Sequence, residues 1–305
     1  MPDRTFVKAL KHHQAGELTE AEAIYRQMMV DFSDHAGCRY FLGVLFEDRG
    51  DLVMAAELIG AALALAPAHP ERHVKLGDVY RLDERLDEAA ACYRSALELD
   101  PGLAGVESAL GNVLYRQGRV KDAVACLRRA ADVDPNDAGV HNILGAALID
   151  LGDIDGAKQA LKRALALTPG SIEAISNMGS ACHRAGELED AVISLRQALK
   201  LEPRYSFAAR RLGLVYEEMG RFNDALQYYD HALETDADDA EAHFLKAGVL
   251  MLLGRLEEGW GEYEWRWKKT NAPTLWREFP TPRWNGRSAR GINLLVWGEQ
   301  GIGEQ

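Results

Sequence analysis

The sequence predicts an all-α solenoid, a series of helix pairs of equal length stacked one on the next. Three observations carry this. Glycine recurs every 34 residues at Gly43, Gly77, Gly111, Gly145, Gly179 and Gly213. Alanine keeps the same period on two lattices, Ala55, Ala89, Ala123, Ala157, Ala191 and Ala225, then Ala62, Ala96, Ala130, Ala164, Ala198 and Ala232. Within one period the apolar residues fall at helical spacing in two blocks, as in Leu110 and Leu114 followed by Val120, Ala123, Leu127 and Ala130. Self-similarity at such a period means one helical unit copied along the chain.

Each part of the period has a physical role. The first block is one helix. Gly118 follows it, with counterparts at Gly16, Gly50, Gly152, Gly186, Gly220 and Gly254, where glycine can take the left-handed conformation that ends a helix. The second block is the returning helix. The Gly43-type and Ala55-type positions are expected to face each other across the pair and let the helices approach. A larger residue at Ala123 is expected to cost about 1–3 kcal/mol by overpacking. The second helix is expected to end at a proline, Pro67, Pro101, Pro135, Pro169 and Pro203, a lattice that fails next at Ala237.

The 305 residues are 47% hydrophobic and 27% charged, a balance suited to a globular core. A net charge of −12 argues against general nucleic-acid binding. No apolar run is long enough for a membrane span. The start, "MPDRTFVKALKHHQ", is charged where a signal peptide is apolar, so a cytoplasmic location is expected. Cys38, Cys92, Cys126 and Cys182 show no CxxC pairing and read as buried thiols in a reducing compartment.

The 34-residue period, the Leu-Gly pairs (Leu76-Gly77, Leu110-Gly111, Leu144-Gly145), the two alanines and the proline resemble the tetratricopeptide repeat. The resemblance implies a right-handed α-solenoid of about seven repeats plus a degenerate eighth: 2–35, 36–69, 70–103, 104–137, 138–171, 172–205, 206–239 and 240–273. The first repeat has Ala9 and Ser33 at the glycine and proline slots. The last has Gly259 and Arg266 at the alanine slots. Residues 1–271 are read as the solenoid and 272–305 as a Trp/Arg/Pro-rich junction.

By the same resemblance such arrays bind partner segments in a concave groove lined by the first helix of each repeat. The outward positions of those helices include Asp78, Arg81, Asn112, Tyr115, Arg116, Asn142, Ile149, Asp150, Ser176, Ser180, His183, Arg184, Arg210, Leu214 and Glu217. Of these, Arg81, Asn112, Tyr115, Arg116, Asn142, His183, Arg184 and Arg210 are the candidate groove residues. Asparagine can pair with an extended peptide backbone and arginine with carboxylates, so the expected partner is an extended or acidic protein segment. Solvated polar residues without a partner are the alternative. The set differs from the Lys/Asn pattern by which some tetratricopeptide co-chaperones hold a C-terminal carboxylate.

Other constellations point to no chemistry. His69 and His73 lie four apart, but His73, His141 and His243 share one repeat slot, which favours a framework role over metal. No HExxH, GxSxG or Walker pattern occurs, so no cofactor and no catalytic residue is expected.

The composition changes near Gly259. All six tryptophans lie at or beyond Trp260, and Trp265–Arg290 holds seven Lys/Arg against one acid. This segment reads either as a cap over the last repeat or as an aromatic-basic surface for an anionic partner. "GWGEYEWRW", "PRWNG" and "INLLVWGEQGIGEQ" together resemble the junction of bacterial proteins in which tetratricopeptide repeats precede a glycosyltransferase-like, heptosyltransferase-related domain. That resemblance implies a first strand and a phosphate-facing loop at Gly298, Gly301 and Gly303. Glu304 stands where that family usually has Asp. Too few residues follow for such a domain, and residues after about 285 are expected to be poorly ordered or packed on another chain. Three functions are therefore open: a non-enzymatic scaffold for a protein partner, the recognition arm of a longer glycosyltransferase, or a self-assembling array joined through its repeat ends or C-terminal segment.

Overall fold

A computed structural model describes residues 2–268, all of their regular structure helical. The Trp276, Trp284 and Trp297 segment and the Gly298, Gly301 and Gly303 loop lie outside the described residues. The chain forms two compact units, Met1–Pro203 and Arg204–Gln305.

The first unit holds six helix pairs. They are α1 (Pro2–Gln14) with α2 (Leu18–Asp31), α3 (Ala36–Asp48) with α4 (Leu52–Leu65), and α5 (Pro70–Leu82) with α6 (Leu86–Leu99). Next come α7 (Val106–Arg116) with α8 (Val120–Val133), α9 (Ala138–Leu151) with α10 (Ile154–Leu167), and α11 (Ile172–Arg184) with α12 (Leu188–Leu201). The second unit holds α13 (Ser206–Glu218) with α14 (Phe222–Thr235), and α15 (Ala240–Leu252) with α16 (Leu256–Tyr263). A 3-10 turn, Glu264–Lys268, follows α16. The described residues thus form the expected all-α series of helix pairs, sixteen helices in about eight pairs, six in the first unit and two in the second.

Each first helix ends as its glycine predicts. At Gly118 φ is +74°, its N–H donates to the Tyr115 carbonyl at 2.9 Å, and the Arg119 N–H reaches the Leu114 carbonyl at 2.9 Å. These bonds consume carbonyls the helix end would leave bare. The third repeat makes the same turn without glycine: Glu84 takes φ +59°, and its N–H bond to the Arg81 carbonyl stretches to 3.4 Å. Second helices start on aspartates where the sequence offers them. Asp51 and Asp153 accept from the N–H groups of Met54 and Gly156 at 3.1 and 3.0 Å.

One expectation about the pair is extended and one needs correction. The Gly43-type glycine faces the Ala55-type backbone, and it also makes room for the bulky residue four places further on. A Cβ at Gly77 would lie 2.7 Å from the Tyr93 ring, and one at Gly145 2.5 Å from Leu161 Cγ. Ile59, Leu127, Leu195 and Tyr229 fill the same notch at Gly43, Gly111, Gly179 and Gly213. All six fillers are fully buried. The alanine contributes its backbone: the Ala55 carbonyl would meet a Gly43 Cβ at 3.1 Å. The eighth repeat exchanges the two small residues. Ala247 takes the glycine slot and Gly259 the alanine slot, where a Cβ would lie 2.7 Å from Met251 Cγ.

The proline is not what ends the second helix. The helix stops at the same slot where proline is absent, at Asp31 before Ser33 and at Thr235 before Ala237. In the first seven repeats the next residue leaves helical geometry while its N–H still bonds four residues back, as Asp236 does to the Ala232 carbonyl at 2.9 Å.

Two stability measurements test this account. Gly145→Ala should lower stability by about 1–3 kcal/mol, because Leu161 cannot withdraw from its notch. Gly60→Ala, also in a helix but with open space around it, should raise stability by about 0.5–1 kcal/mol. Equal effects in urea unfolding would rule out the notch. Separately, Glu84→Gly should raise the unfolding midpoint. The left-handed strain relieved, about 1–2 kcal/mol, exceeds the roughly 0.5–1 kcal/mol of backbone freedom that glycine adds to the unfolded chain.

Candidate functional site on the first-helix face

Within the first unit, successive first helices touch: α1 meets α3, α7 meets α9 and α9 meets α11. No two second helices of successive repeats make comparable contact. The stack is therefore tighter on its first-helix side, which makes that side the inner face of the curve. Side chains on this face are joined from repeat to repeat by hydrogen bonds and ion pairs, two of them at equivalent slots. His13 Nε2 lies 3.1 Å from Asp48 Oδ2, linking α1 to α3. At the same two slots three repeats later, Tyr115 donates its hydroxyl to Asp150 at 2.7 Å, linking α7 to α9. Asn177 donates to Asn142 Oδ1 at 2.9 Å, linking α9 to α11, and Lys75 Nζ pairs with Glu47 at 2.6 Å, linking α5 to α3.

These bonds divide the expected groove residues. Ile149, Ser176 and Ser180 are buried and do not line the groove. The close packing of α9 on α11 covers this part of the face, and Ser180 turns its hydroxyl back to the Ser176 carbonyl at 3.1 Å. Asp78 accepts from the Tyr93 hydroxyl at 2.7 Å, and Glu217 from Tyr229 at 2.7 Å. Both carboxylates thus fasten a first helix to the notch-filling tyrosine of its second helix. Burial is the main cause that pushes both phenols well above their ordinary range, with the hydrogen-bonded carboxylates adding to it.

The arginines are less available than the sequence suggests. Arg116 pairs with Glu84. Arg81 stands 3.9 Å from Asp78. Arg210, in the second unit, lies 3.0 Å from Asp239. Arg184 is exposed at the end of α11 with no ion pair among the described residues, next to half-buried His183. Asn112 is half-buried and has no hydrogen-bond partner among the described residues. Asn142 keeps its amide N–H groups, and Asn177 its carbonyl oxygen, beyond the one bond they share. Asn177 was missed by sequence reasoning. It lies 35 residues after Asn142, one slot beyond the repeat, and only helix stacking shows that such slots meet.

The shared histidine slot is framework. The Nε2 N–H of His73, His141 and His243 donates to the carbonyl of Pro67, Pro135 and Ala237 at 2.9, 3.0 and 3.1 Å. A carbonyl only accepts, so each ring is protonated at that nitrogen. Among the described residues no cluster of three His, Cys, Asp or Glu is placed for a metal. Cys38, Cys126 and Cys182 are buried thiols and Cys92 is partly so; burial pushes Cys38 and Cys92 up to about 11.

The second unit holds a cleft of about 580 Å³ that sequence reasoning did not foresee. Lys246 Nζ bridges Asp230 at 2.8 Å and Glu262 at 2.7 Å. Glu262 also meets His243 Nδ1, and the His243 ring stacks on Trp265 with centroids 3.9 Å apart. Burial alone would raise Glu262, but the Lys246 and His243 bonds outweigh it and hold the carboxyl below its usual value. Burial would likewise lower Lys246, yet its two carboxylates raise it. The cluster satisfies itself and works as a clasp that joins α15 to α14 through Asp230, to α16 through Glu262 and to the following turn through Trp265. A carboxylate with a depressed pKa adds stability above its unfolded value, near 4.5, and loses it as pH falls through its folded value. Glu262→Gln should therefore cost about 2 kcal/mol at pH 7. The gap from the unmodified chain should narrow in thermal melts as pH falls below about 4.5; a pH-independent gap would exclude the charged clasp.

This geometry, helix pairs stacked within a unit with a polar first-helix face, defines a helical-repeat fold. Tetratricopeptide repeat models match residues 108–172 and 210–264, and 148–214; a TPR repeat model matches 77–118. Together these run from 77 to 264, and the chain belongs to the tetratricopeptide repeat family. Protein FlbA of Caulobacter vibrioides is 37% identical over 68 residues, which is 22% of this chain and 11% of FlbA. The chain thus spans about a tenth of that relative. A tetratricopeptide repeat protein of Parabacteroides merdae shares the fold at TM-score 0.66 and 18% identity, over 79% of this chain and 91% of that one. A thermophilic tetratricopeptide repeat protein of Thermus thermophilus gives TM-score 0.52 at 25% identity, over 60% and 100%. Nothing found in these comparisons supports a glycosyltransferase-like region at residues 272–305. No helix among the described residues is long and apolar enough to cross a membrane.

Proposed function

We propose that this chain is a protein-interaction scaffold whose first-helix face binds an extended segment of a partner protein. Tetratricopeptide arrays typically bind peptides or proteins and are typically non-catalytic. The observation that carries the reading is the set of unspent polar groups on α7, α9 and α11: Asn112, the free ends of the Asn142–Asn177 pair, and Arg184. An extended backbone offers alternating N–H and C=O groups, and carboxamides answer both. Because Arg116 is already paired with Glu84 and Arg81 stands beside Asp78, the face suits a peptide backbone with one acidic side chain near Arg184 better than a strongly acidic tail.

The reading of this chain as the recognition arm of a longer glycosyltransferase rests on the sequence resemblance after Gly259. It is compatible with the scaffold reading, since the arm of such an enzyme would use the same groove. Cytoplasmic location remains part of the proposal, on the four free thiols.

A peptide array probed with the full chain tests the groove. The variant Asn112→Ala, Asn142→Ala, Arg184→Glu should lose at least tenfold in affinity for the selected peptides, about 1.4 kcal/mol or more, with the melting curve unchanged. Unaltered affinity in a folded variant would move the binding surface away from this face.

A further inference from the structure

Tight stacking of the first helices leaves the second helices of the first unit apart. α6 and α8 make no comparable contact with each other, while α7 packs on both. A cleft of about 500 Å³ lies between α6 and α8, with α7 as its floor. Its inner surface is apolar: Leu110 and Leu114 of α7, Leu97 of α6 and Cys126 of α8. Its rim carries six charged side chains, and four of them satisfy one another. Arg119 Nε donates to Asp122 at 3.0 Å, and Arg129 holds Glu107 through two bonds of 2.8 Å. Arg94, half-buried on the α6 wall, has no ion pair among the described residues. At its slot in other repeats Arg26 pairs with Glu22, Arg128 with Asp153 and Asp230 with Lys246, while Lys162 stands exposed to water. The sixth rim charge, Glu98, is exposed one turn beyond Arg94.

The clasp of the second unit shows what these slots do when their charges are matched. Asp230, Lys246, Leu250, Glu262 and Trp265 stand where the cleft has Arg94, Leu110, Leu114, Cys126 and Arg129. There Lys246, on the floor, takes a carboxylate from each wall. In the first unit the cation is on a wall and the floor is apolar. The one carboxylate that α8 brings to the cleft, Asp122, is bonded to Arg119. We infer that the α6–α8 cleft is a second docking site, away from the first-helix face, for a partner-protein segment that presents an aliphatic side chain beside a carboxylate. The aliphatic group covers Leu97, Leu110 and Leu114. The carboxylate completes the bridge at Arg94, whose guanidinium can hold both of its oxygens. A cleft of this size, apolar inside with one charged group to fix orientation, is the usual form of a recognition pocket. It lies open along the surface between two helices, so the occupant's chain can run on past it.

The test uses the full chain and two probes: 4-methylpentanoate, which carries an isobutyl group and a carboxylate, and its neutral amide. Binding is read from backbone amide shifts in nuclear magnetic resonance spectra. The acid should shift α6 and α8 amides saturably, and the amide should bind at least tenfold more weakly. Arg94→Gln should lose at least tenfold in affinity for the acid, and Glu98→Gln should gain, because a like charge is removed. Ala125→Leu narrows the cleft from its exposed rim and leaves Arg94 in place. It should weaken both probes, and it decides the matter if Arg94→Gln alters the melting curve. No saturable shift on α6 and α8, equal binding of the two probes, or affinity indifferent to Arg94→Gln in a folded variant overturns the inference. Shifts confined to α9 and α11 around Arg184 also overturn it, and leave the first-helix reading standing. Carried as a Leu-Glu pair within a short acetylated peptide, the same two groups should bind at least tenfold tighter than the free acid. Equal affinity assigns the cleft to small carboxylates and overturns the protein partner.

Discussion

The structure depends on one packing constraint: a bulky side chain of the second helix sits where the first helix has no Cβ. Ile59, Tyr93, Leu127, Leu161, Leu195 and Tyr229 each occupy such a notch. The filler sets how closely and in what register the two helices meet, so every pair has the same shape and can stack on the next. Where the filler is tyrosine, its hydroxyl reaches a carboxylate on the first helix, Asp78 or Glu217, and the notch also carries a hydrogen bond. The first repeat keeps the arrangement with Ala9 opposite Tyr25, both fully buried. The eighth exchanges glycine and alanine between its helices. The conserved quantity is the small volume shared by the two helices, not the identity of the residue at one slot.

Uniform pairs have a consequence for function. Because the repeats stack more tightly on the first-helix side, the polar side chains there come within reach of the next repeat, and many are used to join repeats. His13–Asp48 and Tyr115–Asp150 are the same bond made at two places in the array. A binding surface on such a molecule is what the framework leaves unspent. That economy explains why the inner face of the middle repeats is richer in free carboxamide groups than in free charge.

The eighth repeat shows what happens when the pattern runs out. Its second helix is eight residues long where the others have fourteen. The lost turns are replaced by a 3-10 segment held by the His243–Glu262–Lys246 clasp and the Trp265 stack. The histidine slot that elsewhere only anchors a loop carbonyl here gains a carboxylate and an aromatic partner. Leu256 and Trp260, in slots that are covered in earlier repeats of the described residues, are exposed.

The helix pairs and the left-handed turns at Gly118 and its counterparts were legible in the sequence, because each is a local effect repeated at fixed spacing; the turn at Glu84 and the short α16 were not. Gly118 and its counterparts turn the chain wherever they occur, and the framework role of His73, His141 and His243 followed from their shared slot. The partner of each glycine was not legible. The helix-helix offset places Tyr93, not Ala89, opposite Gly77, and that offset is a three-dimensional quantity. Nor could the sequence separate spent from available groove residues. Ser176 and Asn112 both sit on outward positions of a first helix, yet close packing of α9 on α11 buries one, while the other stays half-exposed and unpaired. By itself the sequence determined a repeating helix pair, since periodicity is a property of one chain read along its length. Tertiary structure alone decided which polar groups remained to meet a partner, since that depends on distances between residues one repeat apart.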